Sequence, residues 1–160
     1  MAKKLDLELL ETTIIQLIKD NLTAKLTEID TEKNDGLTLD PIPDANYFRT
    51  FEEEINNVNE FIYYGHDVRV TTGIGPASKQ EFTFMILVFF STMNNETSDE
   101  NRKKSFRYTR AIKEIIHSNY GNISGVSTLK ITDLEPPDMQ INENSPLLKS
   151  AGIELSSSIA

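Results

Sequence analysis

Only a few short segments of this chain hold residue types that could bind a ligand or do chemistry. The segment Thr72–Ser78, TGIGPAS, resembles a glycine-rich phosphate loop, but its third glycine is missing. A strand pattern also follows it, where such a loop needs a helix N-terminus. The segment Asp30–Gly36, DTEKNDG, resembles a calcium loop, yet its glycine falls one position late and Pro41 stands where the bidentate acid belongs. We therefore predict neither a nucleotide site nor a calcium site.

The other candidate residues lack partners at a workable spacing. His66 and His117 stand in different elements, and Ser156–Ser158 has no nucleophile-elbow glycines and no neighbouring base. Three acids surround a proline pair and could meet a cation, although carboxylates in a solvated turn are the more ordinary interpretation: Asp133, Glu135 and Asp138. We expect no enzyme activity, no catalytic residue, no metal and no cofactor.

One charge feature is concentrated. The segment RKKSFRYTRAIK holds six of the chain's 16 basic residues, and five of them are candidates for a subunit interface: Arg102, Lys103, Lys104, Arg107 and Arg110. A solvated helix face is the plainest interpretation. Contact with the acidic face of a second copy is the sharper one, because complementary charges orient assembly. DNA contact is the weakest, since 25 acidic residues give the chain a net charge of -9.

The length and composition of the chain limit the kind of fold that can position these residues. A chain of 160 residues predicts a single domain over residues 1–160. There are no cysteines, so no disulfide framework forms, and an intracellular protein is the simplest expectation. The first residues, MAKKLDLELL, carry acids among the leucines, so we predict neither a signal peptide nor a membrane partner.

Two segments have the apolar spacing of amphipathic helices. Leucines and isoleucines recur at steps of three and four from about residue 6 to residue 30. A second such helix is predicted from Asp99 to Asn119, opened by a capping pattern at Thr97 or Ser98 and closed by Gly121. Between the helices, Asn34-Asp35-Gly36 and two prolines predict a loop, and Tyr47 to Val58 has the spacing of a weak, partial helix.

Four segments predict strands. Phe61 to Val70 is interrupted at Gly65, which suggests a bulge, and it precedes EFTFMILVFF at Glu81–Phe90 as an antiparallel neighbour. Val126 to Thr132 and Ile153 to Ile159 alternate. The segment Glu81–Phe90 has no polar residue after Thr83. Both faces of this strand must therefore be covered, either by a neighbouring subunit or by the loop at 31–60. The predicted fold is α+β: a mostly antiparallel sheet of about four to five strands with two main helices packed on one face.

This order of elements resembles a known family. The leading helix LELLETTIIQLIKDNL, the strands ending in EFTFMILVFF, the helix RYTRAIKEIIHSNYG and the closing strand AGIELSSSIA are similar to the tail terminator, or tail-completion, proteins of long-tailed bacteriophages. The resemblance covers most of the chain and rests on architecture, without a diagnostic short motif. It carries over no catalytic residue. The segments at 31–47 and 135–138 are longer than a minimal member needs.

The resemblance implies a structural virion protein at the tail end nearest the head, assembled in the host cytoplasm. Its partners would be other copies of itself in a ring, typically a hexamer, together with the tail tube protein and the head–tail connector protein. DNA would pass through the lumen without specific binding. Two alternatives stay open: a small ligand-binding α+β domain whose apolar sheet face lines a pocket, and another phage neck or head–tail joining protein.

Overall fold

A computed structural model describes residues 7–48, 60–65, 71–72, 80–91, 98–119, 123, 128–134 and 148–159. Helix α1 spans Leu7–Lys33 and helix α2 spans Ser98–Ser118, close to the predicted bounds. A single 3-10 turn lies at Asp44–Asn46. The strands are β1 (Tyr47–Phe48), β2 (Glu60–Gly65), β3 (Thr71–Thr72), β4 (Gln80–Ser91), β5 (Thr128–Leu134) and β6 (Leu148–Ile159).

The strands form one sheet in the order β1-β2-β4-β6-β5, with β3 also paired to β4. Every pairing is antiparallel except that of β1 with β2. The α+β class and the mostly antiparallel sheet are therefore confirmed. The predicted count of four to five strands is wrong. Two of the strands have only two residues, too few for alternation to reveal. Buried side chains are described in β4 and β6, and partly buried ones in their neighbour β5.

Strand β4 lies at the centre of the sheet and is buried on both faces. Phe84, Ile86 and Val88 point toward the helices and belong to the main core. Leu87 and Phe89 alternate with them on the opposite face and are also buried, Phe89 completely. The prediction that both faces of this strand are covered is confirmed for these residues. A second subunit is not needed to cover Leu87 and Phe89, because they are buried within one chain.

The neighbouring strand leaves room for Leu87. Gly152 of β6 pairs with Leu87 across the sheet. A Cβ atom at position 152 would lie 2.7 Å from Leu87 Cδ2 and would also overlap the carbonyl oxygen of Ile86. Glycine at this position therefore lets the Leu87 side chain lean across β6.

The helices form the second layer of the molecule. The buried stripe of α1 repeats every three or four residues and contains Leu10, Ile14, Ile18, Leu22, Leu26 and Ile29. It shares one core with Tyr108, Ile112, Ile115 and Ile116 of α2 and with the inward residues of β4 and β6. This arrangement agrees with the predicted packing of both helices on one face. Neither described helix has the length of apolar sequence that a bilayer crossing requires.

The loop after α1 packs against the helices. Asn34 and Gly36 both have positive φ values, 43° and 82°, which end the helix and turn the chain. Leu39 and Ile42 then enter the helix-side core, and the Tyr108 hydroxyl donates a hydrogen bond to the carbonyl oxygen of Asp40. This part of the predicted 31–60 loop therefore covers the helix side of the sheet and not its opposite face.

Several predictions fall partly outside the described residues. The predicted partial helix from Tyr47 is wrong at its start, because Tyr47 and Phe48 pair in parallel with Ile62 and Tyr63 of β2. Pairing with β2 at the edge of the sheet gives the backbone groups of Tyr47 and Phe48 hydrogen-bond partners. The polar sequence around these two residues does not indicate such a pairing. The remainder of that segment, residues 49–58, lies outside the described ranges.

The strand predicted from Phe61 to Val70 is described only in its first part. Strand β2 ends at Gly65, which pairs with Met85 of β4 in the predicted antiparallel sense. Residues 66–70 lie outside the described ranges, so the bulge near Gly65 stays a prediction.

Candidate interaction surface

The five candidate residues of α2 do not share one surface. Lys104 is only 3% exposed, because it falls on the inward stripe with Asn101, Ser105 and Tyr108. Arg102 and Lys103 are exposed near the start of the helix. Arg107 and Arg110 lie one and two turns further along, against the end of α1. The sequence placed all five on one helix correctly, but the helical period turns Lys104 inward, whereas Lys103, Arg107 and Arg110 line one groove.

Arg107 joins α2 to the loop that follows α1. Its Nη1 donates a hydrogen bond to Oδ1 of Asp35 at 3.0 Å, and its Nη2 donates to Oδ2 of the same carboxylate. This two-point contact lowers the pKa of Asp35 to about 2, chiefly through the hydrogen bonds from the guanidinium. The side chain of Arg107 is 11% exposed, so the pair is shielded on the arginine side.

Arg110 makes a similar link one turn later. Its Nη1 and Nη2 donate to the two carboxylate oxygens of Glu32 at 2.8 and 2.7 Å, and its Nε donates to Glu114 at 2.8 Å. Hydrogen bonds from Arg110 lower the pKa of both glutamates and, in return, raise the pKa of the guanidinium. Planar two-point pairs of this kind fix orientation as well as distance.

The remaining cations of this flank are also paired with carboxylates. Lys113 donates to both oxygens of Asp133 at 3.0 and 2.9 Å, which ties α2 to β5. Lys25 of α1 lies 2.8 Å from Glu28 and 3.5 Å from Glu114. The positive charge concentrated in the sequence is therefore largely neutralised in the fold. Sequence reasoning missed these acids because they lie as many as 78 positions away from their partners.

The outer surface near the start of α2 has a different character. Phe106 is 41% exposed, and the Arg102 guanidinium lies over its ring at 5.3 Å from the centroid. Lys103 pairs with Asp99 one turn away at 3.2 Å. A groove of about 290 Å³ runs beside the ring, and its described lining consists of Phe106 and four cations: Lys33, Lys103, Arg107 and Arg110. We call this surface the Phe106 groove.

A larger cleft opens between α2, α1 and β5. Its volume is about 920 Å³, and its floor carries the partly buried side chains Leu129 and Ile131. Its rim is polar and includes Lys25, Arg110, Lys113, Glu114, His117 and Ser118. His117 was singled out in the sequence, and it lies at this rim. In the part of the chain that the structure describes, no three histidine or acidic side chains come together as a metal site.

The structure also locates the weaker sequence candidates. Asp30 lies inside α1, where its Oδ2 accepts a hydrogen bond from the backbone N–H of Leu39 at 3.0 Å, so it is a structural residue of the loop. Ser156–Ser158 lie within β6, paired with β4. Asp133 is the partner of Lys113. His66, Glu135, Asp138 and residues 73–78 of the glycine-containing segment lie outside the described ranges.

Comparison with known proteins adds no further identification: no protein-family model and no curated protein matches this chain.

Proposed function

We propose that this protein is a tail terminator of a long-tailed bacteriophage, a structural protein that forms a ring on the end of the tail tube and stops its growth. One observation carries the proposal. The four segments on which the resemblance rests are α1, β2 with β4, α2 and β6, and they form one helix layer on one sheet. The closing strand β6 pairs with β4 over twelve positions, so the C-terminal part of the chain is integral to the sheet.

The surface that would build the ring differs from the one the sequence favoured. Leu87 and Phe89 are already buried on the far face of β4, so the proposal no longer depends on a neighbour that covers them. Arg107 and Arg110 hold α1 against α2. Their role would be to fix the shape of one subunit, and the exposed residues Arg102 and Lys103 are better placed to contact another.

The test is an assembly assay on tail tubes. Tube protein polymerises in the presence or absence of this chain, and tube lengths and end views are measured by negative-stain electron microscopy. We expect shorter, capped tubes with a ring of density at one end. Sedimentation of the protein with tubes and alone gives the subunit count. Tubes that lengthen without any cap would contradict the proposal.

A second candidate is a small ligand-binding domain, and the cleft between α2 and β5 favours it. Its volume of about 920 Å³ is in the range of small-molecule sites, and its apolar floor and polar rim have the usual composition of such sites. The two functions separate in the same experiment: a monomer that leaves tubes unchanged supports the ligand-binding domain. A ring that binds the head connector without stopping tube growth would instead indicate another neck protein.

A further inference from the structure

The turn after α1 contains a dipeptide that can modify itself. Asp35 and Gly36 form the one Asp–Gly pair of the sequence, and the sequence has no Asn–Gly pair. An aspartate followed by glycine is prone to close into a cyclic succinimide, because glycine has no side chain to shield its backbone nitrogen from the neighbouring carboxyl group. The Arg107 clamp therefore acts on a side chain that has a chemistry of its own.

This reaction needs no enzyme and no reagent other than water. The backbone nitrogen of Gly36 bonds to Cγ of Asp35 while the Cγ–OH bond breaks, and the hydroxyl leaves as water with the proton of that nitrogen. Water then opens the succinimide ring. Addition at Cγ restores aspartate, whereas addition at the main-chain carbonyl carbon leaves the peptide bond on Cγ, which is an isoaspartate. The net change is an isomerisation without a change of mass.

The backbone at Gly36 is open to this attack. Gly36 lies beyond the end of α1 with a φ value of 82°, and a Cβ atom placed on it would meet no heavy atom within 4 Å. Asp35 and Gly36 are both exposed. Neither helix packing nor a neighbouring side chain shields the nitrogen that would attack.

The Asp35 carboxylate, in contrast, is held at both oxygens. Arg107 donates from Nη1 to Oδ1 at 3.0 Å and from Nη2 to Oδ2, and the backbone N–H of Leu37 donates to Oδ1 at 3.3 Å. Whichever oxygen departs must first lose its hydrogen bond to the guanidinium. Ring closure also turns Cγ toward the Gly36 nitrogen, and a planar two-point pair opposes that rotation because it fixes the orientation of the carboxylate.

The same contact keeps the carboxyl group in its unreactive form. Only the neutral acid loses its hydroxyl readily as water. Hydrogen bonds from Arg107 lower the pKa of Asp35 to about 2, whereas an unfolded aspartate titrates near 3.9. At pH 6 the neutral acid is therefore rarer in the folded chain by a factor on the order of a hundred. The Asp35 side chain is 39% exposed, so water screens part of this effect.

We propose that Asp35–Gly36 is a latent site of isoaspartate formation and that Arg107 holds it in the unmodified form. An isoaspartate adds one carbon to the main chain and attaches the carboxylate directly to Cα, so the carboxylate no longer reaches the guanidinium in the same geometry. The loop that carries Leu39 and Ile42 into the core then loses this link to α2. The inference concerns one subunit and does not depend on the proposed tail function.

The test follows the rate of isomerisation in aged samples of folded protein at pH 6. Peptide mapping with electron-transfer fragmentation measures isoaspartate at position 35. We expect Arg107→Gln to raise the rate by about tenfold or more, because the carboxylate loses its two-point pair and its pKa rises. The matched control is Arg110→Gln, which breaks the similar pair with Glu32 and leaves the contacts of Asp35 in place. This control should isomerise at the wild-type rate.

Two further measurements keep the test decisive if Arg107→Gln does not fold by circular dichroism. Wild-type protein should isomerise more slowly when folded than when unfolded in urea at the same pH. Arg107→Lys retains the positive charge but cannot hold both oxygens in one plane, so its rate should lie between these two limits. Equal rates for folded and unfolded wild-type protein, or for the Arg107→Gln and Arg110→Gln variants, would overturn the proposal.

The consequence for the loop has its own readout. The isoaspartate form of the wild-type protein is separated from aged samples by ion-exchange chromatography, and its thermal melt is compared with that of unmodified protein from the same sample. We expect a lower Tm for the isoaspartate form, because the link between the loop and α2 is lost. An unchanged Tm would mean that isomerisation does not release the loop.

Discussion

At the scale of single residues, the carboxylates opposite α2 define its outer flank as much as its basic residues do. Asp35 and Glu32 each accept two hydrogen bonds from one guanidinium. A sequence can show that Arg107 and Arg110 share a helix. It cannot show that Glu32 and Asp35, at and just after the end of α1, lie beside them in the fold. The clustered cations therefore form a clamp that joins α2 to the end of α1 and to the loop that follows it.

The Asp35 clamp predicts a specific dependence of stability on pH. Arg107 lowers the pKa of Asp35 to about 2 in the folded chain, whereas an unfolded aspartate titrates near 3.9. A lowered pKa stabilises the fold at pH values above the unfolded pKa, and this contribution is lost as the pH falls through about 2. Asp35→Asn should therefore lower Tm at pH 6, and the difference from the wild type should shrink steadily between pH 4 and pH 2.

Thermal melts followed by circular dichroism measure this difference. The matched control is Asp99→Asn, which removes an acid whose described ion pair, with Lys103, joins α2 only to itself. Exposed pairs within one helix contribute about 0.3–0.5 kcal/mol, so the control should change Tm little. An Asp35→Asn difference that stays constant from pH 6 to pH 2 would mean that ionisation of Asp35 does not hold the helices together.

At the scale of elements, the central strand β4 is where substitutions should lower the stability of the fold most. Ile86 and Leu87 are adjacent on β4 and are both buried, but they face opposite sides of the sheet. We predict that Leu87→Ala and Ile86→Ala each lower the free energy of unfolding by about 2–5 kcal/mol, the usual cost of removing a large buried side chain. Urea denaturation measures both values under the same conditions.

The exposed residue Thr132 of β5 supplies the control, and Thr132→Ala should change stability by less than about 0.5 kcal/mol. A Leu87→Ala variant as stable as the wild type would show that the far face of β4 is open to solvent. In that case a neighbouring subunit would again be needed to cover this apolar face, and the initial interpretation of EFTFMILVFF would return.

Elements with strong periodicity could be predicted from the sequence, and those held by distant contacts could not. The spacing of Ile14, Ile18 and Leu22 fixes the buried side of α1 by itself, because a helix repeats every 3.6 residues. Leu39 and Ile42 stand among prolines and acids in a segment without a period. They are buried because α1 and α2 leave a groove that this loop fills, which is a property of the packed helices and not of the loop sequence.

The candidate surface was predictable to the same extent. Its basic residues could be found by counting, because six of them fall within one helical segment. Their partners could not, since Asp35 lies 72 positions from Arg107 and pairs with it only after the helices dock. Phe106 was also overlooked, because an aromatic residue in a helix is normally part of the core. Its exposure follows from its helical position, which faces away from the buried stripe through Tyr108 and Ile112.

At the scale of the whole molecule, charge balance predicts how the protein treats DNA. The chain carries a net charge of -9, and the described basic residues of the α2 flank mostly pair with carboxylates. Binding to duplex DNA depends on cations that displace the counterions of several phosphates. We therefore predict no measurable binding of the wild-type protein to a fluorescent duplex, even at about 50 mM salt, when fluorescence anisotropy is followed up to high protein concentration.

A variant of the same chain makes the measurement decisive. Glu32→Gln, Asp35→Asn and Asp133→Asn remove three acids that face Arg110, Arg107 and Lys113, which changes the net charge from -9 to -6. These cations should then be available to phosphates, and weak binding should appear and fall steeply with added salt, provided that circular dichroism shows the variant to be folded. Salt-sensitive binding by the wild-type protein would contradict the prediction. It would also count against the proposed tail ring, through which DNA would have to pass without binding.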